Sequence, residues 1–324
     1  MTLNEIAEII KARSNIAILP HIHPDGDCIG SSFALLLALQ MLKKEVTVVL
    51  EENIPQVYSF LTGKYVKLSD LPSNTKFDMV ICLDSGDEHR LNHRIDLFNS
   101  SDVTLNIDHH ISNTMYAKYN YVDSASSATG EIVYDIINLL GVTIDKDIAV
   151  NLYVAISTDT GGFKYSNTTS KTHRIIAELL ETNINIAEIN RRIFDTVSLE
   201  KLKLTATAID WIEFYENNKI AAIALPYDII QKEGLSDEDS DGLANLPRNI
   251  EGVEVGLLFK EKKPGEIKVS FRSNQYVDVS KIAISFGGGG HKRASGCTLH
   301  MDMIEAKKQV IESVKQTIKQ EVEK

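Results

Sequence analysis

Four short stretches in the first half of the chain hold carboxylates and imidazoles in combinations that suit metal-assisted hydrolysis. The first, His21-Ile22-His23-Pro24-Asp25-Gly26-Asp27, packs two imidazoles and two carboxylates into seven residues. Asp84 follows in Leu83-Asp84-Ser85-Gly86-Asp87, then the triplet Asp108-His109-His110, then Asp159 in Ser157-Thr158-Asp159-Thr160-Gly161. Hard oxygen donors mixed with imidazole favour manganese, magnesium or zinc over a thiolate-bound ion. A two-metal centre for phosphoryl displacement needs roughly three protein ligands per ion and one bridging carboxylate, with the ions ~3.5–4 Å apart. Each stretch also has a plainer reading. Asp25-Gly26 is a turn pair, Ser31 or Ser32 an N-cap, Asp84 a turn residue, and Asp159 a cap into Gly161-Gly162. If the chain is extended at 109–110, the two imidazoles point opposite ways and only one reaches an ion.

The elements that must position these residues are legible in the hydrophobic pattern. Near-continuous apolar runs at 15–19, 46–50, 77–83 and 102–107 read as buried parallel strands. Three of them run into the motifs at His21, Asp84 and Asp108. Helical patterns cover 1–13, 33–42, 129–140, 146–156, 171–181 and 186–194, and Asp159 follows the fourth of these. Open α/β sheets keep ligand sites outside the carboxyl ends of their strands, so the terminal loops should converge there.

At ~100–200 residues per domain, a chain of 324 residues accommodates two. The longest apolar run, 33–39, falls well short of the ~20 residues of a membrane helix. Charged residues interrupt 1–15, so that segment is not a secretory signal. Cys28, Cys82 and Cys297 are dispersed without a CxxC pair, which fits reduced thiols and a cytoplasmic protein. Residues 1–185 carry 14 Lys+Arg against 23 Asp+Glu, and residues 186–324 carry 20 against 22. A net charge of −11 disfavours long nucleic acid, duplex included, because such binding depends on neutralising phosphates. An anionic substrate must then be drawn in by metal ions and local arginines.

The second half changes character. Runs at 208–215 and 219–225 read as a strand pair across Glu216-Asn217-Asn218, and 253–260 with 266–272 as a hairpin over Lys262-Lys263-Pro264-Gly265. A polar acidic loop is expected at 234–241, a glycine loop at 286–291, and a charged helix at 304–322. The expected organisation is a catalytic domain over 1–185, a linker helix region over 186–205 and a smaller α/β domain over 206–324. A glycine run gives a backbone that can approach a phosphate with its N–H groups exposed.

In this order and combination the motifs resemble those of the DHH phosphoesterase superfamily with its associated C-terminal domain. The resemblance rests on His21 to Asp27, Leu83 to Asp87, Asp108-His109-His110 and Ser157 to Gly161, and on Gly287-Gly288-Gly289-Gly290-His291 followed by Ala294-Ser295-Gly296. It covers nearly the whole chain, and the family commonly has Ala where Ser295 stands. It implies an α/β fold with a parallel-sheet N-terminal domain, a smaller substrate-binding domain and an active site in the cleft between them. It also implies roles. His21 and Asp25 would hold one ion, Asp27, His109 and Asp159 a second, with Asp84 bridging. His110 would face the scissile phosphate, and Asp108 would orient its neighbours. Arg272, Ser273, Gly288, Gly289, Gly290 and His291 would bind substrate.

Family members usually use two divalent ions, most often Mn2+. Within the superfamily the length resembles the nanoRNase / pAp phosphatase group. That likeness implies hydrolysis of very short RNA to nucleoside 5′-monophosphates and removal of the 3′-phosphate of 3′-phosphoadenosine 5′-phosphate. A homodimer is compatible with the sequence, and no membrane partner is expected. Competing readings are a cyclic or linear dinucleotide phosphodiesterase, a RecJ-like exonuclease, an inorganic pyrophosphatase, and a nucleotide-binding module without hydrolysis.

Overall fold

A computed structural model describes residues 1–72, 75–232 and 242–322. The acidic loop expected at 234–241 lies outside the described residues. The chain divides into two units, Met1–Thr196 and Val197–Lys324.

The first unit is built on six parallel strands, β1 (Asn15–Pro20), β2 (Glu45–Leu50), β3 (Tyr65–Lys67), β4 (Met79–Leu83), β5 (Thr104–Asp108) and β6 (Tyr119–Val122). Their order is β3-β2-β1-β4-β5-β6, so the direction of strand addition reverses between β1 and β4. This is the switch point at which doubly wound sheets open a crevice. Both faces of the sheet are covered, which is why the central strands lack polar alternation. Ile16 and Ile18 of β1 join one core, while Ala17 and Leu19 face a second one with Val80, Cys82 and Phe98. The edge strands β3 and β6 escaped the sequence reading because each is short and half-buried throughout.

Among the described residues, seven α-helices accompany the sheet: α1 (Leu3–Lys11), α2 (Gly26–Met41), α3 (Ile95–Asn99), α4 (Thr129–Leu139), α5 (Lys146–Asp159), α6 (Ser170–Leu180) and α7 (Ile186–Asn190). Helix α2 begins well before the expected 33–42. Asp25 is its N-cap, accepting from the Cys28 amide at 3.0 Å, so neither Ser31 nor Ser32 serves as cap. Gly26 and Gly30 disguise this first turn because glycine is a poor helix former. Packing requires them: a Cβ on Gly30 would lie 2.4 Å from the Asn151 carbonyl of α5.

The second unit opens with α8 (Leu199–Asp210), where a strand was expected from residue 208. Leu204 and Ala208, four residues apart, are buried on one face of this helix. A mixed sheet follows, from β7 (Glu213–Tyr215), β8 (Ile220–Leu225), β9 (Val255–Lys263), β10 (Glu266–Ser273), β11 (Gly289–His291) and β12 (Ala294–His300). The order is β11-β12-β10-β9-β8-β7; β8 and β9 are parallel and the other neighbours antiparallel. Helices α9 (Tyr227–Lys232), α10 (Val279–Ser285) and α11 (Met303–Val322) complete it. Part of the expected glycine loop is therefore strand: Gly289, Gly290 and His291 pair with β12. Among the described residues no helix is long and apolar enough to cross a membrane.

Candidate metal centre

The chain leaves β1 at Pro20 into a turn fixed from behind by Arg94. This arginine is buried, and its Nη1 donates to the carbonyls of Pro20 and Val49 at the ends of β1 and β2. Its Nε reaches Glu51 Oε1 at 3.3 Å, and its Nη2 donates to the Arg90 carbonyl. The Arg90 carbonyl also accepts the Ile22 amide at 2.9 Å. Both neighbours of His21 are thereby held.

His21 is oriented within this turn. Its Nδ1 lies 2.7 Å from the Ile22 carbonyl, which can only accept, so Nδ1 carries the proton. Nε2 is buried without a hydrogen-bond partner and faces Asp25 Oδ1 at 3.8 Å and Asp84 Oδ2 at 3.6 Å. A buried, partnerless ring nitrogen aimed at two carboxylates is how a protein presents imidazole to a cation, its other nitrogen tied to a carbonyl. Burial alone would lower the His21 pKa, but Cys28, Asp25 and Asp84 raise it well above the ordinary value. Groups that hold a proton on Nε2 would equally hold a metal ion there.

Asp27 sits in the first turn of α2 and is addressed by the start of α4. Its Oδ2 accepts from the Thr129 amide at 2.6 Å, and its Oδ1 from the Gly130 amide and the Ser31 hydroxyl, both at 2.9 Å. Burial, with the charges of Asp84, Asp159 and Asp25, still pushes its carboxyl well above the usual range. Asp159, the last residue of α5, is pushed up to about 7, first by burial and then by Asp84 and Asp25, with His109 and His110 opposing. Carboxylates crowded until they retain protons form a ready cation site.

Asp84 lies at the middle of this set. It follows β4 in a left-handed conformation, φ 57°, and its Oδ1 accepts from the Thr129 hydroxyl at 2.9 Å. Oδ2 faces His21, while Oδ1 lies 3.7 Å from His109 Nε2. His109 is oriented as His21 is, with Nδ1 on the Ser126 carbonyl at 3.3 Å. Its Nε2 also faces Asp159 Oδ2 at 3.6 Å and Asp27 Oδ2 at 3.9 Å. The two imidazoles of the triplet do not diverge as an extended chain would make them. Residues 109–110 have left β5, and both rings address Asp84, with centroids 4.7 Å apart. His110 Nδ1 donates to Asp108 Oδ1 at 2.7 Å, and Asn113 donates to Asp108 Oδ2 at 2.6 Å. Burial opposes both charged forms, but this bond raises the His110 pKa and holds Asp108 below the usual carboxylate range.

The structure thus gathers His21, Asp25, Asp27, Asp84, His109 and Asp159 around one crevice, with Asp108 and His110 beside it. Sequence reasoning overlooked Thr129, Gly130, Arg94 and Asn113, which hold these groups. A helix start at Thr129 was the one available signal. It also overlooked Cys28, whose Sγ lies close to His21 and Asp84. That sulfur accepts from the His21 amide and faces the Leu83 carbonyl, and burial raises its thiol pKa.

In the second unit, Arg272 on β10 and His291 on β11 both pair with Ala294 of β12, so they share one row and one face of the sheet. Ser273 was grouped with Arg272 as substrate-facing, but adjacent strand residues point to opposite faces. It is buried, with its hydroxyl donated to the Val277 carbonyl at 2.7 Å. Gly288 is required by close approach, since a Cβ there would meet the Gly296 carbonyl at 2.1 Å.

Comparison with known proteins bears on the family and the fold. Residues 15–156 match the DHH family, N-terminal domain, and residues 217–323 match the DHHA1 domain. The chain is 34% identical over 97% of its length to a bifunctional oligoribonuclease and PAP phosphatase of Thermus thermophilus, covering 93% of that protein. It is 30% identical to a probable enzyme of the same description from Streptococcus mutans, covering 89% of this chain and 90% of the relative. An exopolyphosphatase-related protein from Bacteroides fragilis superposes with a TM-score of 0.86 at 26% identity, over 98% of this chain and 95% of the other.

Proposed function

The chain belongs to the DHH family of phosphoesterases and carries the DHHA1 domain; from that premise we propose that it is a cytoplasmic hydrolase of very short RNA, releasing nucleoside 5′-monophosphates, that also removes the 3′-phosphate of 3′-phosphoadenosine 5′-phosphate. The observation that carries the chemistry is the division of Asp84, whose two oxygens face imidazoles from two different loops. That division supports a role for Asp84 as a carboxylate that two cations would share. The substrate class is supported by the relatives named as bifunctional oligoribonuclease and PAP phosphatase, at 30–34% identity.

His21 and Asp25 would hold one divalent ion, and Asp27, His109 and Asp159 the other, with Asp84 shared; manganese suits this oxygen and imidazole set. Bound there, such ions supply a water of lowered pKa as nucleophile and neutralise charge on the phosphate. The chain does the rest. Asp108 fixes the proton on His110 Nδ1, so Nε2 is the atom presented to the substrate, as a donor to the phosphate or leaving oxygen when the ring is charged. Asn113 keeps Asp108 from rotating away. In the second unit Arg272 and His291 offer donors on one face for a second phosphate, and Gly289, where an added Cβ would meet nothing within 4 Å, leaves room for its approach. The net charge of −11 favours short substrates over long ones, whose binding depends on neutralising many phosphates.

The test is a manganese-supplemented digest of a dinucleotide RNA, a 24-mer RNA, 3′-phosphoadenosine 5′-phosphate and cyclic di-AMP in parallel. Fast loss of the dinucleotide and the bisphosphate, with the 24-mer much slower, is expected. Preferential opening of the cyclic compound would reassign the protein to cyclic-dinucleotide turnover.

A further inference from the structure

Arg90 has no assigned role, yet its placement is unusual. It lies in the 3-10 segment Glu88–Arg94 that follows the Asp84 loop. Its amide donates to Asp87, and its carbonyl accepts from the Ile22 amide at 2.9 Å and from Arg94 Nη2 at 3.4 Å. Backbone bonds on both sides therefore pin this half-buried residue against the turn that carries His21.

The side chain is left over. Among the described residues the Arg90 guanidinium makes no hydrogen bond and no ion pair. A guanidinium beside a centre of five aspartates would ordinarily be forked onto one of them, as Arg191 is onto Glu188. Its charge is nevertheless felt in the centre, helping to hold the Asp25 carboxyl down against desolvation, alongside His21 and the Cys28 amide. It also opposes the rise of the His110 pKa that Asp108 and Asp84 cause. The bond from the Ile22 amide places Arg90 against the residue that follows His21, so the unpaired cation is carried by the turn that presents this imidazole.

We propose that Arg90 grips the non-bridging oxygens of the scissile phosphate, as the first unit's own anion-binding side chain beside the metal ions. Those oxygens gain charge in the displacement, and a planar, permanently charged fork suits them. An arginine bonded to a carboxylate would have to break that bond first, whereas Arg90 is already positioned. The inference rests on the phosphoester reading of the centre and not on the choice of RNA as substrate.

The test uses full-length protein with Arg90→Gln and Arg90→Lys, the generic diester bis(p-nitrophenyl) phosphate as substrate, and inorganic phosphate as probe. Bound manganese is counted by elemental analysis. For Arg90→Gln, kcat/KM should fall by about 100-fold and phosphate inhibition should weaken by at least about 10-fold, with manganese content unchanged. Arg90→Lys should recover part of the phosphate affinity, since it restores the charge without the fork. Rates and phosphate affinity within about threefold of the parent would overturn the proposal. So would loss of manganese alongside activity, which would make Arg90 a support of Asp25. A parent protein that cleaves the generic diester but spares short RNA would sink the RNA reading and leave this test intact.

Discussion

The Asp27 carboxylate rests on the Thr129 amide at 2.6 Å, across 102 residues of chain. One proposed ligand is thus set by the first turn of another helix, whose N-terminal amides favour a negative charge. Gly130 is where this contact is vulnerable. A Cβ there would lie 2.7 Å from Ala155 Cβ and 3.4 Å from Asp27 Oδ1. Gly130→Ala should therefore cost about 1–3 kcal/mol by overpacking and weaken metal binding as the amides shift. Urea melts with and without manganese check this; an unchanged metal affinity would show that the amides do not position Asp27.

Asp84 calls for a particular substitution. Its backbone is left-handed, a conformation that asparagine tolerates and alanine does not. Asp84→Asn should fold within about 1 kcal/mol of the parent, while Asp84→Ala loses a further ~1–2 kcal/mol to strain. Both should lose turnover by at least about 1000-fold and fail to bind two ions together. A soluble Asp84→Asn protein with near-normal hydrolysis would refute the bridging role.

Metal-free protein should respond to pH in a direction that the crowded aspartates dictate. Asp27 and Asp159 are raised in the folded state, Asp159 to about 7, by burial and mutual charge. Asp25 and Asp108 are lowered, so above about pH 4 they are ionised whether the chain is folded or not. Between about pH 4 and 7 the folded chain then holds more protons than the unfolded one, and stability falls as pH rises. A bound cation removes that penalty. The manganese-induced rise in Tm should accordingly be larger at pH 8 than at pH 5.5, as scanning calorimetry on stripped and reloaded protein would measure.

Arg94 makes a sharper prediction about folding. It joins the ends of β1 and β2 through two carbonyls and pairs with Glu51, itself bonded to Asn92. Arg94→Met leaves those acceptors and the Glu51 carboxylate unmatched, and should cost about 3–5 kcal/mol. Arg94→Lys should rescue little, because one ammonium cannot span the same set. Equal stability of the lysine variant and the parent in chemical denaturation would contradict this account.

The sequence was most informative where one residue type had one physical use. Strands β1, β4 and β5 lie between two covered faces, so an apolar run could mean little else. The clustered acids and imidazoles at their ends were legible for the same reason. Groups that act through backbone atoms were not. Nothing in the letters Thr129-Gly130 says that two amides meet a carboxylate from another helix. The start of α2 was concealed because its glycines answer to contact with α5 rather than to helix propensity. Ser273 was misplaced by reading a dipeptide as a unit, where the pleat turns its two side chains apart.

That contact between α2 and α5 carries one more implication. Gly26 adjoins Asp27, and a Cβ on it would clash with the side chain of Thr158, which adjoins Asp159; one turn further on, Gly30 lies against Asn151 and Ala155. The spacing of the two carboxylates is therefore a ruler graduated by how closely two helices nest. Substitutions that alter how closely α2 and α5 nest should therefore alter the distance between Asp27 and Asp159 without replacing either carboxylate.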